Sequence, residues 1–216
     1  MVIFEPPLYH PTVMLRASWL RGAGLKYDPN SRHAEDYHLW EKAVRQTVVS
    51  NVGEVLVRYR RHGGQVSQRH AGEQRARTRD VRLRQIVALG LQPSPDDLDL
   101  HDYIAVQGLQ TDVQSLRRVR AWLEELAAAN RSARRYPEPA FSRLLAERMY
   151  RISSASTAVS LPGVCTVFGG SPLAASLRPV PASLARLVAV RLIPSRVLRA
   201  SMLLRGAARA RLRIPS

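Results

Sequence analysis

The chain has 216 residues, 45% of them apolar, and 33 Lys+Arg against 17 Asp+Glu give a formal net charge of +16. That apolar fraction supports a packed core and excludes global disorder. The single cysteine, Cys165, excludes an internal disulfide and a cysteine-based zinc cluster, and no run of about 18 apolar residues reads as a spanning helix.

Along the chain, "MVIFEPPLYHPTVM" has no basic start and no long apolar run, so a signal peptide is not expected. "TVMLR" (12–16) is consistent with a short buried strand. "ASWLRGAGLKYD" follows, with Gly22 and Gly24 marking a helix end or turn. "AEDYHLWEKAVRQ" (34–46) predicts a helix with Leu39, Trp40, Ala43 and Val44 on one face. "EVLVRYR" (54–60) alternates, with Val55, Val57 and Tyr59 on one side, which is a strand period. Strand, helix, strand reads as an α/β unit over 1–70.

Residues 71–152 read as a helical extension. Leu83, Ile86 and Val87 recur at helical spacing, and Ser94-Pro95-Asp96 marks a helix start. Leu116, Val119, Leu123 and Leu126 mark a further helix, and Phe141, Leu144, Leu145, Met149 and Ile152 another. Residues 153–216 divide into a Ser/Pro/Gly-rich linker and a basic, apolar helical tail. The fold class expected is therefore α/β followed by a mainly α-helical extension.

The charge is uneven, because residues 151–216 hold ten arginines and no acid. Only Lys26 and Lys42 of the basic residues are lysine. An arginine bias also follows from GC-rich coding, so charge alone does not indicate a nucleic-acid partner. Aromatics are only 6% of residues, few lie among the C-terminal arginines, and no zinc-finger or RNA-recognition pattern occurs. Nucleic acid is not the partner expected.

Two adjacent acids, Glu35 and Asp36, stand at the predicted start of the 34–46 helix. Asp36 falls in the first turn, with Leu39 and Trp40 three and four residues on, along the same side. One reading is helix-end electrostatics, in which first-turn acids gain up to about 1 kcal/mol from the dipole. The other is a general base: a carboxylate held ionised at a helix N-terminus can accept a proton from an attacking hydroxyl.

"HPTVMLR", "GLKYDP", "HAEDYHLW" and "VLVRYRRHGGQVS" occur in this order and at close spacing. Together they resemble the C-terminal half of the catalytic domain of family 2 glycosyltransferases, the GT-A-fold inverting sugar transferases. The resemblance covers residues 6–70 and, more faintly, the helical stretch to about 150. It implies that Asp36 is the base that deprotonates the acceptor hydroxyl, with Glu35 helping to place the acceptor. It makes Leu39 and Trp40 the aliphatic–aromatic pair that fixes the helix. His62 falls where many such enzymes carry a histidine near the metal and diphosphate; the alternative for it is a loop histidine at a strand end. His10 matches the "HP" start and is either structural or on the acceptor side. Arg58 and Arg60 would share one strand face toward a diphosphate, with Arg61 on the other.

The resemblance also implies a nucleotide-sugar donor, a glycan or lipid-linked acceptor, and Mg²⁺ or Mn²⁺ on the diphosphate of the complete enzyme. The family's nucleotide-binding half ends in Asp-x-Asp, and this chain is expected to start beyond it. Its Asp97-Leu98-Asp99 reads as acids at a helix start. Neither G-x-G-x-x-G nor G-x-x-x-x-G-K-[ST] occurs. No metal is therefore expected on this chain alone, and little or no turnover without a complementing N-terminal half. A late start codon, a truncated gene and a split enzyme all accommodate this, and a non-catalytic remnant that binds a partner is the alternative function.

A cytoplasmic location is expected, with peripheral contact to an anionic membrane as an option for residues 182–216. Leu184, Leu187, Val188 and Leu192 cluster on a helical wheel, but Arg191 falls among them, so a tail packed on the domain is the competing reading. Liposome flotation of the chain with and without residues 182–216 separates the two. Membrane contact requires that deletion abolish flotation on anionic vesicles; equal flotation assigns the tail to the protein.

Overall fold

A computed structural model describes residues 1–60, 70–106, 112–155 and 159–176. Seven α-helices occur among them: α1 (Ala17–Gly22), α2 (Glu35–Ala43), α3 (Ala71–Val87), α4 (Pro95–Ala105), α5 (Val113–Ala133), α6 (Ala140–Ala155) and α7 (Leu161–Gly169). Short 3-10 turns occupy His10–Thr12, Pro29–Ser31 and Pro172–Ser176. The described residues fall into two compact units, those within 1–106 and 125–137 forming one and those within 107–124 and 138–216 the other.

No strand occurs among the described residues, which corrects the α/β expectation for residues 1–70. "TVMLR" runs from the end of a 3-10 turn into α1, with Met14 96% exposed. "EVLVRYR" has no regular structure, and Val55, Leu56, Val57 and Tyr59 are all exposed. Alternation makes a strand only where a neighbour accepts its N–H and C=O groups, and no such neighbour exists among the described residues. A GT-A-like α/β unit is therefore not seen.

The helices follow from their sequences. Ser94 caps α4 with a full capping box: its hydroxyl accepts from Asp97 N, the Asp97 side chain accepts from Ser94 N, and Pro95 sits at the first position. Asp112 precedes α5 and accepts from Ser115 N, which holds its carboxyl below the usual carboxylate range. In α5, Leu116, Val119, Leu123 and Leu126 are fully buried at helical spacing. In α6, Phe141, Leu145, Met149 and Ile152 do the same. α3 is different: its buried stripe is Val81, Arg82, Gln85 and Ile86, while Val87 is exposed. Within the Ser/Pro/Gly-rich stretch, α7 is capped by Ser160, whose hydroxyl accepts from Gly163 N, and buries Val167 and Phe168.

The first unit is built around an N-terminal segment. Val2, Ile3 and Phe4 are buried, and each of their carbonyls is taken by a side chain. The Tyr37 hydroxyl donates to Val2 O (2.6 Å), His101 Nε2 to Ile3 O (2.9 Å) and Arg82 Nε to Phe4 O (3.0 Å). Phe4 stacks on the His101 ring at 4.6 Å. Arg82 also donates to Asp102, so α2, α3 and α4 close on the same few residues.

Burial pushes the Tyr37 phenol well above the ordinary phenol range, and burial pushes Tyr136 up to about 12 against a weaker pull from Arg135. A raised phenol pKa means that the protonated form is favoured in the folded state. The associated stability is complete below the unfolded value of about 10 and is lost as pH rises through the folded one. Alkaline titration at 295 nm should therefore show Tyr37 and Tyr136 ionising together with loss of helical circular dichroism. Ionisation of all seven tyrosines with the helix signal intact would contradict their burial.

Candidate functional site

The site begins at the entry to α2. Asp28 accepts from Asn30 N (2.9 Å) to set the 3-10 turn at Pro29–Ser31, and the same contact holds its carboxyl below the usual range. His33 follows with φ +68°, a left-handed conformation that costs a non-glycine residue. Its carbonyl accepts from Gln74 Nε2 (2.9 Å), which ties this corner to α3. Ala34 is buried and has no capping side chain, so the first-turn acids Glu35 and Asp36 are the charges at the positive end of α2.

Asp36 is half-buried, and its Oδ1 accepts from Tyr37 N at 2.7 Å. Glu35 is half-buried too, with Oε2 enclosed and without a hydrogen-bond partner among the described residues. Leu39 and Trp40 are buried with Leu25 and Ala43, against Leu15, Trp19 and Leu20. His10 is exposed; its Nε2 lies 2.9 Å from the Tyr27 hydroxyl, and its ring meets Trp40 edge-on at 6.2 Å. Arg58 and Arg60 are exposed on a segment without regular structure, and Tyr59 between them packs edge-on against Tyr9 at 5.3 Å. The structure thus gathers His10, Tyr27 and Trp40, with the 58–60 stretch beside Tyr9. His62, Arg61 and the tail at 182–216 lie outside the described residues.

An apolar groove of about 700 Å³ opens in the same unit, lined by Leu8, Val13, Met14, Trp19, Val52 and Leu56 among others. Val48, Val52, Val55 and Leu56 are largely exposed around it.

The most heavily used charge is one that sequence reasoning passed over. Glu41, 3% exposed, accepts from Arg84 Nη2 (2.6 Å) and Nε (3.0 Å), Gln85 Nε2 (2.7 Å) and Arg45 Nη2 (2.9 Å). Gln85 Oε1 in turn accepts from Arg135 Nη2 and the Tyr136 hydroxyl, both at 3.0 Å. His38 completes the set. Arg84 can only donate to its Nδ1 (3.3 Å), so Nε2 carries the hydrogen and donates to Arg77 O (3.3 Å). The available signal was the spacing: Glu41 stands one and four residues from Trp40 and Tyr37, on the buried stripe.

Among the described residues, the carboxylates of Asp97-Leu98-Asp99 are not open to a hard divalent ion. Asp97 is committed to the Ser94 cap, and Asp99 pairs with Arg79 at 2.6 Å. The one cluster of three ligating side chains among the described residues, His33, His70 and Glu73, offers two imidazoles to one carboxylate, whereas Mg²⁺ and Mn²⁺ favour oxygen shells.

No family model matches the chain, and no solved structure matches it. A protein of Haemophilus influenzae (strain ATCC 51907 / DSM 11121 / KW20 / Rd) named as an uncharacterized glycosyltransferase is 31% identical over 85 residues, which is 39% of this chain. The chain spans about a quarter of that relative's length (26%). The comparison supports a glycosyltransferase relationship at that coarse level.

Glu41→Ala should cost about 2–3 kcal/mol in urea unfolding, below the usual 3–5 for a broken buried pair because Arg45 and Arg84 are nearly half exposed. Glu41→Gln, which keeps the shape, should cost less. Wild-type stability in the alanine variant would show that the network is idle.

Proposed function

We propose that this chain supplies the acceptor-side part of an inverting glycosyltransferase, with Asp36 as general base. The observation that carries the proposal is a half-buried carboxylate at the positive end of a firmly anchored helix, in a chain similar to a glycosyltransferase. In this reading the acceptor hydroxyl gives its proton to Asp36 as its oxygen attacks the anomeric carbon. The bond from that carbon to the diphosphate oxygen breaks, and the nucleoside diphosphate leaves with the electron pair. Oδ1 is occupied by Tyr37 N, so Oδ2 is the oxygen that receives the proton. Glu35 helps to place the acceptor, and His10 flanks it.

The donor and any Mg²⁺ or Mn²⁺ are assigned to residues other than Asp97 and Asp99, which are otherwise engaged. A second reading is a non-catalytic binding protein, favoured by the apolar groove at Met14, Val52 and Leu56.

Transfer from radiolabelled nucleoside-diphosphate sugars separates the readings. The purified chain alone should not turn over. Combined with a separately supplied nucleotide-sugar-binding polypeptide, it should, and Asp36→Asn should then lower kcat by about 10²- to 10⁴-fold, the usual contribution of general-base catalysis, with donor affinity unchanged. Full activity in Asp36→Asn would refute the base. Binding of the companion without turnover would favour the second reading.

A further inference from the structure

We propose that His33, His70 and Glu73 form a binding site for a zinc-class transition-metal ion on this chain itself. The proposal is independent of the glycosyl-transfer reading.

The three residues come from two elements that the fold has already fastened together. His33 lies in the strained corner before α2; His70 and Glu73 lie at the N-terminal end of α3. The His33 and His70 rings stack with centroids 4.0 Å apart and planes 12° from parallel. His33 Nε2 is 3.5 Å from Glu73 Oε2. One ligand atom from each of the three lies within 4.8 Å of the other two. Around a tetrahedral Zn²⁺ with bonds of about 2.0–2.1 Å, neighbouring ligand atoms stand roughly 3.3 Å apart. The His33–Glu73 spacing is already near that value; because an imidazole binds a metal in its own plane, the exposed His70 ring must turn out of its stack on His33 to bring its lone pair onto the same ion.

The donor set selects the metal. Two imidazoles and one carboxylate suit Zn²⁺ and its neighbours, not Mg²⁺ or Ca²⁺. Three protein ligands leave a fourth position for water or an anionic oxygen. The other described histidines are engaged elsewhere: His10 with Tyr27, His38 with Arg84 and Arg77, His101 with Ile3. His33 is suited to the role by its left-handed backbone, which the Gln74-to-carbonyl bond maintains. Its side chain is only 14% exposed, so it is the packed ligand of the three, and the two exposed ones have room to turn toward it.

The test is titration of the metal-free full chain with ZnCl₂ by calorimetry, and with CoCl₂ by visible absorption. The expected result is one ion per chain at micromolar affinity, a higher Tm on saturation, and an intense four-coordinate Co²⁺ band. His70→Ala and Glu73→Gln should each weaken Zn²⁺ binding by roughly tenfold or more. His33→Asn, in which asparagine tolerates the left-handed backbone, should do likewise. Should His33→Asn lose its fold, His70→Ala and Glu73→Gln, both at exposed positions, carry the test. Millimolar MgCl₂ should leave Tm unchanged. Absence of Zn²⁺ binding, equal binding in the folded variants, or an equal effect of Mg²⁺ would overturn the proposal.

Discussion

The buried carboxylate of Glu41 is the constraint on which the first unit depends. Taking a carboxylate out of water costs several kcal/mol, and only a full set of donors offsets it. Arg84, Gln85 and Arg45 provide that set. Because Gln85 Nε2 must face the carboxylate, its Oε1 must face away, and there it meets Arg135 and Tyr136. One charge therefore fixes α2 against α3 and then draws in the segment after α5. Every oxygen of the Glu41 carboxylate is answered, although Arg135 Nε at the far end of the network is buried without a partner among the described residues, and the set of donors on Glu41 specifies one rotational setting of α2. Asp36, one turn and a half earlier on the same helix, inherits that setting.

The N-terminal segment shows the same logic applied to backbone. Val2, Ile3 and Phe4 bring apolar side chains into the core, but their carbonyls come with them. A sheet neighbour would ordinarily accept that burden. Here the Tyr37 hydroxyl, His101 imidazole and Arg82 guanidinium do so, one from each of three helices. Arg82 is buried because its charge answers both Phe4 O and Asp102, while Asp102 also takes Arg79. The polar groups in this core are what make an all-helical arrangement compatible with a buried non-helical segment.

This explains which features were legible in the sequence. Helices with a plain apolar period, such as α5 on Leu116, Val119, Leu123 and Leu126, were readable because burial and hydrophobicity coincide there. α3 was readable as a helix but not as a face: two of its four buried positions are Arg82 and Gln85, which hydropathy assigns to solvent, while Val87 is exposed. The strands inferred at 12–16 and 54–60 failed for the opposite reason. Alternation reports what a segment could pair with, whereas pairing needs a second segment, and none is supplied among the described residues. At the site, the acidic start of α2 was legible from "AEDYHLW". The His33–His70–Glu73 cluster was not, because its members are 37 residues apart at the nearest sequence crossing and are joined only by the left-handed turn at His33 and the Gln74 contact.

The two acids at the head of α2 are chemically unequal, and that inequality bears on what the chain can do. Both gain from the helix dipole. Asp36 holds one oxygen on a backbone N–H, which fixes the carboxylate's orientation and leaves the other oxygen to receive a proton. Glu35 has one enclosed oxygen that no described group satisfies, so its carboxylate is the one that gains most from a new hydrogen-bond donor. Because that oxygen is enclosed, a donor reaches it only if the Glu35 side chain turns outward. The proposed base role falls to Asp36 because it is the acid whose carboxylate is oriented with one oxygen left over. Neither residue, however, offers what a diphosphate needs, since both are anions. Under the proposed glycosyl-transfer reading, charge alone puts a donor's phosphates somewhere other than the head of α2 and leaves acceptor handling as the part open to this helix.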